Sequence, residues 1–182
     1  MAAYRSGKYA TALADFRAAA GKGNADAQFN LGVMCHNGQG VPQDYAKARK
    51  WWRLAAQQGV ADAQYNLGLM YAKGQGVTQD DAEAVKWYRR AAQQGVAEAQ
   101  FYLGNMYDTG QGVTQDDAKA VKWYRRAAQQ GDAKAQLNLG SMYGSGQGVP
   151  QDFVKAYKWI ALSEIDAEPG SSVAKNAEAA IS

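Results

Sequence analysis

Apolar and polar positions along this chain follow the period of amphipathic helices, in units of constant length. The segment from Ala61 to Val96 shows the pattern in full. Its first apolar stripe has helical spacing and consists of Ala63, Leu67, Met70 and Tyr71. The glycine-rich run from Gly74 to Gln79 interrupts this stripe. The second stripe, which ends before Gly95, consists of Ala84, Trp87, Tyr88, Ala91 and Ala92. The pattern predicts two helices joined by a loop.

The same unit recurs at a fixed spacing. The tryptophans of the second helices are 36 residues apart, at Trp51, Trp87, Trp123 and Trp159. The same interval separates the glycines of the first helices, which are Gly32, Gly68, Gly104 and Gly140. It also separates the starts of the GQGV loops, which are Gly38, Gly74, Gly110 and Gly146. A fixed interval of this size is typical of a repeat array, in which each unit stacks on its neighbours.

Two positions within the unit carry local signals. Asp80 precedes the second helix, so we expect its carboxylate to accept from the first turn, and Glu83 can complete a capping box. Gly68 lies in the middle of the first helix, where a glycine costs about 1 kcal/mol relative to alanine. We expect close approach of the second helix to compensate for this cost, with the small Ala91 and Ala92 packed against Gly68.

The composition is that of a folded protein and limits the possible chemistry. The 182 residues are 47% hydrophobic and 20% charged, with a formal net charge of +3. The hydrophobic fraction excludes a wholly disordered chain. No apolar run approaches the roughly 20 residues that span a bilayer, which excludes the transmembrane class. One cysteine and one histidine cannot form an internal disulfide or a histidine-rich metal cage. We therefore expect no disulfide, no metal site and no cofactor.

The unit reads AxAQxxLGxMYxxGQGVxQDxxxAxKWxxxAAQQG and resembles the Sel-1-like repeat, a relative of the tetratricopeptide repeat. The Leu-Gly-x-Met-Tyr run, the glycine-rich loop and the constant interval carry this resemblance over nearly the whole chain. The resemblance implies an all-α fold, a right-handed α/α solenoid of helix-turn-helix repeats, in a bacterial protein. It also implies a binding scaffold more often than an enzyme.

We expect a single repeat domain over residues 1–182, with full repeats at 25–60, 61–96, 97–132 and 133–168. Residues 1–24 form a partial repeat that keeps only the second helix, with Asp15 in place of the repeat tryptophan. Residues 169–182 form a capping helix or a truncated repeat, since Ser171 or Ser172 can cap a short helix. The apolar face of that helix consists of Val173, Ala177, Ala180 and Ile181.

Comparison of the four copies separates constant positions from variable ones. Counting Ala61 as one, positions seven, eight and ten of the first helix never change, whereas two, six, nine, twelve and thirteen vary most. In the related tetratricopeptide fold, positions two, five, nine, twelve and thirteen line the concave wall, so the resemblance implies that the variable residues face a partner. The predicted partner-binding residues, called the wall residues below, are Asp26, Phe29, Val33, His36, Asp62, Tyr65, Leu69, Lys73, Glu98, Phe101, Asn105, Asp108, Lys134 and Ser141.

The apolar row at position five allows two interpretations. Its members are Phe29, Tyr65, Phe101 and Leu137. Exposed aromatic side chains along the wall suit contact with an extended peptide or with the edge of a protein. Because the position is apolar in every copy, the same residues also suit packing between neighbouring repeats. The sequence leaves both interpretations open.

Three further patterns have structural explanations. Cys35 and His36 are helix neighbours that point about 100° apart, so they do not form a nucleophile and base pair. Cys35 instead takes the place of Tyr71 as a small packing residue. The run from Lys86 to Arg90 joins basic and aromatic residues as nucleic-acid sites do, but it repeats with the scaffold and favours a solvated helix face. The GQGV loop lacks the lysine and hydroxyl residue of a phosphate-binding loop.

We therefore expect a non-enzymatic adaptor that binds a protein or peptide partner, without nucleic acid and without membrane insertion. Two alternatives stay open. One is a scaffold with no ligand of its own, and the other is the β-lactam or peptidoglycan-related binding or hydrolysis described for cysteine-rich family members. This chain departs from those members, because it has one cysteine and no Ser-x-x-Lys motif. The resemblance favours a periplasmic or envelope location over a cytoplasmic one.

Overall fold

The computed structural model describes residues 2–167 and folds them into ten α-helices, with no strand in that range. The helices are α1 (Ala2–Arg5), α2 (Tyr9–Gly21), α3 (Ala25–Asn37), α4 (Tyr45–Gln57), α5 (Ala61–Lys73), α6 (Asp81–Gln93), α7 (Ala97–Thr109), α8 (Asp117–Ala128), α9 (Ala133–Ser145) and α10 (Phe153–Ala167). The chain divides into two compact units between Arg90 and Ala91, within α6. Successive helices pack on one another from α1 to α5 in the first unit and from α7 to α10 in the second.

The helix pair predicted for the repeat that begins at Ala61 is confirmed. In α5 the first stripe is buried at Ala63, Leu67 and Met70, while Tyr71 is half-buried. In α6 the whole second stripe is buried, and its members are Ala84, Trp87, Tyr88, Ala91 and Ala92. Burial of one face on each helix is what drives two amphipathic helices together. The all-α class of helix-turn-helix repeats predicted from the pattern is thereby confirmed.

The two helices of a repeat come into close contact at the glycine of the first helix. A Cβ atom added to Gly68 would lie 2.6 Å from Cδ1 of Tyr88, closer than real Cβ contacts come. The expected close approach of the second helix is confirmed, and the atoms nearest to this position belong to the aromatic ring of Tyr88. The ring can pack there only against a backbone without a side chain. The equivalent pairs are Gly32 with Trp52, Gly104 with Tyr124 and Gly140 with Ile160.

The second helices begin at the predicted aspartate caps. The Asp80 carboxylate accepts a hydrogen bond from the Glu83 backbone N–H at 2.9 Å. The other capping residues are Asp44, Asp116 and Asp152. The second half of the predicted capping box is wrong. The Asp80 N–H donates to the Tyr71 carbonyl at 3.0 Å, and the Glu83 carboxylate pairs with Lys86 at 2.8 Å.

Three of the glycine-rich loops end one helix and also contact the preceding repeat. Gly74 closes α5 in the left-handed conformation, with φ of 66°, and its N–H donates to the Met70 carbonyl. Gly76 also has a positive φ of 65°, and a Cβ there would lie 2.7 Å from the backbone carbonyl carbon of Tyr45 at the start of α4. The equivalent contacts join Gly40 to Tyr9 and Gly148 to Asp117. Glycine at this place therefore satisfies both the backbone conformation and the contact between repeats.

A buried glutamine adds a polar contact between successive repeats. Gln64 is 5% exposed, and its side-chain amide donates to the Ala56 carbonyl in the last turn of α4 at 3.1 Å. Carbonyls in the last turn of a helix lack their regular helical donor. The Ala56 carbonyl accepts from the Gly59 N–H at 3.1 Å, and the glutamine amide supplies a second donor. The equivalent bonds join Gln28 to Ala20, Gln100 to Ala92 and Gln136 to Ala128. This explains why the glutamine is constant in all four copies.

The N-terminal residues form two helices that pack on each other, α1 and α2. α2 supplies the predicted second helix and buries Ala12, Phe16 and Ala20. The short α1 lies against it, with the Tyr4 and Tyr9 ring centroids 5.6 Å apart. At the other end, Trp159 lies within α10. The predicted capping helix, with its Ser171 or Ser172 cap and its apolar face, lies outside the described residues.

Replacing Gly68 with alanine is expected to destabilise the protein, although alanine is the better helix former. Alanine gains about 1 kcal/mol in helix propensity, but overpacking against the Tyr88 ring costs about 1–3 kcal/mol. We expect the free energy of unfolding, measured by urea denaturation, to fall by up to about 2 kcal/mol. Gly21→Ala is the control, because a Cβ at Gly21 in α2 meets open space. Equal stability of the two variants would contradict the close packing.

Candidate functional site

The wall residues of the first unit lie on α3 and α5, the first helices of two successive repeats. Five of them are half-buried, namely Phe29, Val33, His36, Tyr65 and Leu69. Three of them are exposed, namely Asp26, Asp62 and Lys73. Half-buried side chains combine a fixed position with some accessible surface, which is what a binding surface needs.

A cleft of about 200 Å³ opens between α3 and α5. It brings together three wall residues from two repeats, Val33, His36 and Leu69. The other lining residues are Asn37, Trp52, Asn66, Met70 and Gln75. Aliphatic and aromatic surface therefore shares one space with several side-chain amides.

Trp52 in α4 supports this cleft from the second helix. Its indole packs on Gly32, and its ring N–H donates to the Phe29 carbonyl at 3.2 Å. The His36 and Trp52 ring centroids are 5.3 Å apart. Nδ1 of His36 is hydrogen-bonded to Oδ1 of Asn37 at 2.8 Å. These contacts hold the imidazole at the edge of the cleft.

Sequence reasoning missed Trp52, Asn66 and Gln75 as lining residues. Trp52 did carry a signal, because tyrosines occupy the equivalent place in the next two repeats, at Tyr88 and Tyr124. Asn66 lies at variable position six, which is not a wall position in the related fold. Gln75 belongs to the constant GQGV loop, so a search for positions that vary between the copies could not find it in the cleft.

The aromatic residues at position five contact the second helix of their own repeat. The ring centroids of Tyr65 and Tyr88 are 6.1 Å apart, and those of Phe101 and Tyr124 are 6.0 Å apart. Tyr65 and Phe101 are each half-buried, so part of each ring also reaches the surface. Leu137 has no ring to pack in this way and is 50% exposed. The position thus contributes to packing inside the repeat while leaving apolar surface accessible.

The wall residues of the second unit are more polar, and one of them holds a buried tyrosine. Three are exposed, namely Glu98, Lys134 and Ser141, and three are half-buried, namely Phe101, Asn105 and Asp108. The Tyr124 hydroxyl donates to Oδ2 of Asp108 at 3.3 Å, and the Gln147 amide donates to Oδ1 of Asp108 at 3.3 Å. Burial raises the pKa of Tyr124 to about 12, and the Asp108 charge adds to this rise. Asp108 therefore serves the fold as well as the surface.

Cys35 is a packing residue, in agreement with the sequence interpretation. It is 6% exposed and takes the place of Tyr71, Tyr107 and Tyr143. Burial raises the pKa of the Cys35 thiol, and the nearby Asp44 charge adds to the effect, which disfavours the reactive thiolate. The His36 ring contacts Tyr45 and Trp52, at centroid distances of 5.2 Å and 5.3 Å. The arrangement is not that of an activated nucleophile.

Two arginines of the second helices lie over the repeat tryptophan of their own helix. Cζ of Arg90 lies 4.6 Å from the Trp87 ring centroid. In the third repeat, Cζ of Arg126 lies 4.9 Å from the Trp123 ring centroid. These contacts occur three residues apart on one helix face, together with the ion pair between Glu83 and Lys86. They favour the interpretation of this run as a solvated helix face.

In the part of the chain that the structure describes, no helix has both the length and the apolar character needed to cross a bilayer. Across residues 2–167, no group of three or more histidine, cysteine or acidic side chains converges as metal ligands would.

Comparison with known proteins identifies the repeat. The family model of the Sel1 repeat matches residues 25–60, 61–96, 97–132 and 133–163, which make up most of the chain. No curated protein sequence matches the chain. The family match agrees with the resemblance drawn from the Leu-Gly-x-Met-Tyr run and the glycine-rich loop.

Solved structures share the fold. A Sel1 repeat protein from Oxalobacter formigenes is 37% identical, with a TM-score of 0.85 over 95% of this chain and 70% of that chain. A protective antigen of uropathogenic Escherichia coli that displays an SLR fold is 43% identical, with a TM-score of 0.81 over 87% of this chain. This chain spans about a third of the length of the antigen, 33%. Cysteine-rich protein B of Helicobacter pylori, at 22% identity and a TM-score of 0.51 over 70% of this chain and 95% of that chain, shares the fold alone. The matches confirm the fold class predicted from the sequence.

Tyr124 is expected to make stability fall at high pH. Its folded pKa of about 12 exceeds the ordinary value of 10.0, so the unfolded state loses the proton first. The stabilising contribution is therefore complete below pH 10.0 and is lost as the pH rises through about 12. We expect the free energy of unfolding to fall less steeply over this window in Tyr124→Phe than in the wild type. Urea denaturation at a series of pH values measures the slopes, and parallel curves would contradict the assignment.

Proposed function

Because this chain belongs to the Sel1 repeat family, we propose that it is a non-enzymatic scaffold that binds a protein or peptide partner through its wall residues. The family match and the similarity to two Sel1-type structures support the scaffold role. One observation carries the more specific part of the proposal. In the cleft between α3 and α5, variable residues of two successive repeats meet in one space.

The size of this cleft suits one side chain of a peptide. Its volume of about 200 Å³ lies below the roughly 300–1,000 Å³ of typical small-molecule pockets. Val33 and Leu69 offer aliphatic contact, and Trp52 adds aromatic surface. The amides beside them, which can hydrogen-bond to a peptide backbone, are Asn37, Asn66 and Gln75. An extended peptide with an apolar anchor satisfies both kinds of group.

Differences between repeats give each unit its own contact chemistry. Position nine is apolar in the first unit, at Val33 and Leu69, and polar in the second, at Asn105 and Ser141. The constant residues around this position fix the backbone, so a change of side chain changes the contact without changing the fold. We therefore expect the first unit to bind an apolar anchor and the second unit to bind polar groups.

Exchanging cleft residues for their equivalents in other repeats tests this proposal. Leu69→Asn introduces the residue found at Asn105, and His36→Ala introduces the residue found at Ala72. Peptides that bind the wild type are first selected from a displayed random library, and their dissociation constants are then measured by fluorescence polarisation. We expect Leu69→Asn to weaken binding about tenfold, because it removes the apolar contact of one side chain.

The control exchange lies outside the cleft. Thr78→Pro introduces the residue found at Pro42 and Pro150 in an exposed loop, and it is expected to leave binding unchanged. Circular dichroism of all variants establishes equal folding. Selected peptides that bind Leu69→Asn and His36→Ala as tightly as the wild type would place the binding surface elsewhere and contradict the proposal.

A further inference from the structure

Trp51, the repeat tryptophan of the first repeat, lacks a cover that its equivalents in the second and third repeats have. The covered rings, which are 5% and 8% exposed, are Trp87 beneath Arg90 and Trp123 beneath Arg126. Trp51 is half-buried, and Leu54 stands in place of these arginines. Leu54 is itself 44% exposed. An aromatic ring and an aliphatic side chain are therefore accessible side by side.

A second exchange opens space beside Trp51. Cys35 replaces a tyrosine that the other three repeats keep. In the third and fourth repeats, a lysine from the second helix lies over the ring of this tyrosine, as Lys119 does over Tyr107 at 5.4 Å and Lys155 over Tyr143 at 5.5 Å. In the first repeat, a cleft of about 280 Å³ is lined by Cys35, the equivalent Lys47 and Trp51. The smaller side chain has left a cleft that the scaffold does not close.

The two exchanges occur together only in the first repeat. The fourth repeat also has a leucine after its tryptophan, Leu162, but it keeps Tyr143. A second and more open cleft of about 370 Å³ is lined by Lys47, Lys50, Trp51 and Leu54. These four residues share one face of α4, since they are three or four positions apart. The two clefts meet at Lys47 and Trp51.

Cations surround these clefts. Arg17 lines the first cleft and Lys50 lines the second, and both residues are exposed. Lys47 lines both clefts and also pairs with Asp44 at 3.0 Å. The helix that carries the site, α4, has the sequence YAKARKWWRLAAQ, with four basic residues and no acidic one. A ligand at this place meets apolar surface together with positive charge.

We propose that the two clefts form a binding site, the Trp51 site, for an acidic peptide segment of a partner protein that carries one large apolar side chain. The apolar side chain packs against Trp51 and Leu54, and the flanking carboxylates pair with Lys50 and Arg17. The apolar side chain of the peptide matches the apolar surface of the lining, and its carboxylates match the cations beside that surface. The site shares no lining residue with the cleft between α3 and α5, so either site can fail without the other.

The lining favours a peptide over other anionic partners. Single-stranded nucleic acids bind by stacking successive bases on several aromatic rings, and the Trp51 site offers one ring. A membrane surface requires a broad apolar face along a helix, whereas α4 offers Leu54 and part of Trp51 here. A peptide with one large apolar side chain between acidic residues is complementary to the Trp51 site, in which one aromatic ring lies between cations.

Exchanging Leu54 for arginine separates apolar contact from simple charge attraction. Leu54→Arg introduces the residue of the second and third repeats and is expected to cover the Trp51 ring as Arg90 covers Trp87. The probe is a dye-labelled pentapeptide with phenylalanine between two pairs of glutamates, and polarisation gives its dissociation constant. We expect the variant to bind about fivefold more weakly, although it adds a positive charge.

Further variants and probes complete the test. Cys35→Tyr fills the smaller cleft and is expected to weaken binding, and Lys50→Gln is expected to weaken it about threefold. Lys86→Gln is the matched control, because Lys86 is equivalent to Lys50 but lies beside the covered Trp87, and binding is expected to stay unchanged. A pentapeptide with serine in place of phenylalanine is expected to bind about fivefold more weakly than the probe. Lys50→Gln keeps the test decisive if circular dichroism shows that Leu54→Arg disturbs folding.

Several results would overturn the proposal. Unchanged or tighter binding by Leu54→Arg would mean that charge alone attracts the peptide. Equal binding of the serine and phenylalanine peptides would show that the apolar contact contributes nothing. If the phenylalanine peptide does not bind at its highest soluble concentration, the proposed site does not exist. Binding of oligothymidylate or of phosphatidylglycerol vesicles that is lost in Leu54→Arg and Lys50→Gln, without peptide binding, would assign the site to another class of partner.

Discussion

Close packing of a large side chain on a bare stretch of helix backbone holds each repeat of this protein together. The contact joins Gly68 to Tyr88 in the second repeat, and the other repeats place Trp52, Tyr124 or Ile160 on the equivalent glycine. Glycine within a helix lowers its intrinsic stability, and only dense packing in the folded state offsets that loss. The distance between the two helices follows from this contact. The loop joins the two helices and the aspartate caps the second one, but the contact at the glycine sets the distance between them.

Contacts between repeats account for two further constant positions. The glutamine of the first helix bonds to a carbonyl at the end of the preceding helix, as Gln64 does to Ala56. The second glycine of the loop lies against the start of an earlier helix, as Gly76 does against Tyr45. Each of these residues serves the backbone of a neighbouring repeat, so its replacement would disturb two repeats at once. Variation is consequently confined to positions that neither contact uses, and those positions supply the wall residues.

The clefts of the first unit arise where this regular scaffold departs from its own pattern. Trp52 stands in the place of a tyrosine, Cys35 replaces another tyrosine, and Leu54 replaces an arginine. Because the constant contacts hold the backbone in place, the surrounding structure does not collapse around a smaller side chain. Differences in side-chain size therefore become clefts, and differences in charge become surface chemistry. Binding properties can change from repeat to repeat while the fold stays the same.

The sequence by itself determined the helix pairs, the aspartate caps, the repeat interval and the family, because these depend on local spacing within a unit. It also indicated that the positions of His36 and Leu69 within the repeat vary from copy to copy. Only the tertiary structure decided that the Tyr88 ring fills the space beside Gly68. It alone placed Gln75 of the constant loop in a cleft with residues of two repeats. Which side chain occupies a space between helices depends on distances across the core, and the spacing of residues along one helix does not contain them.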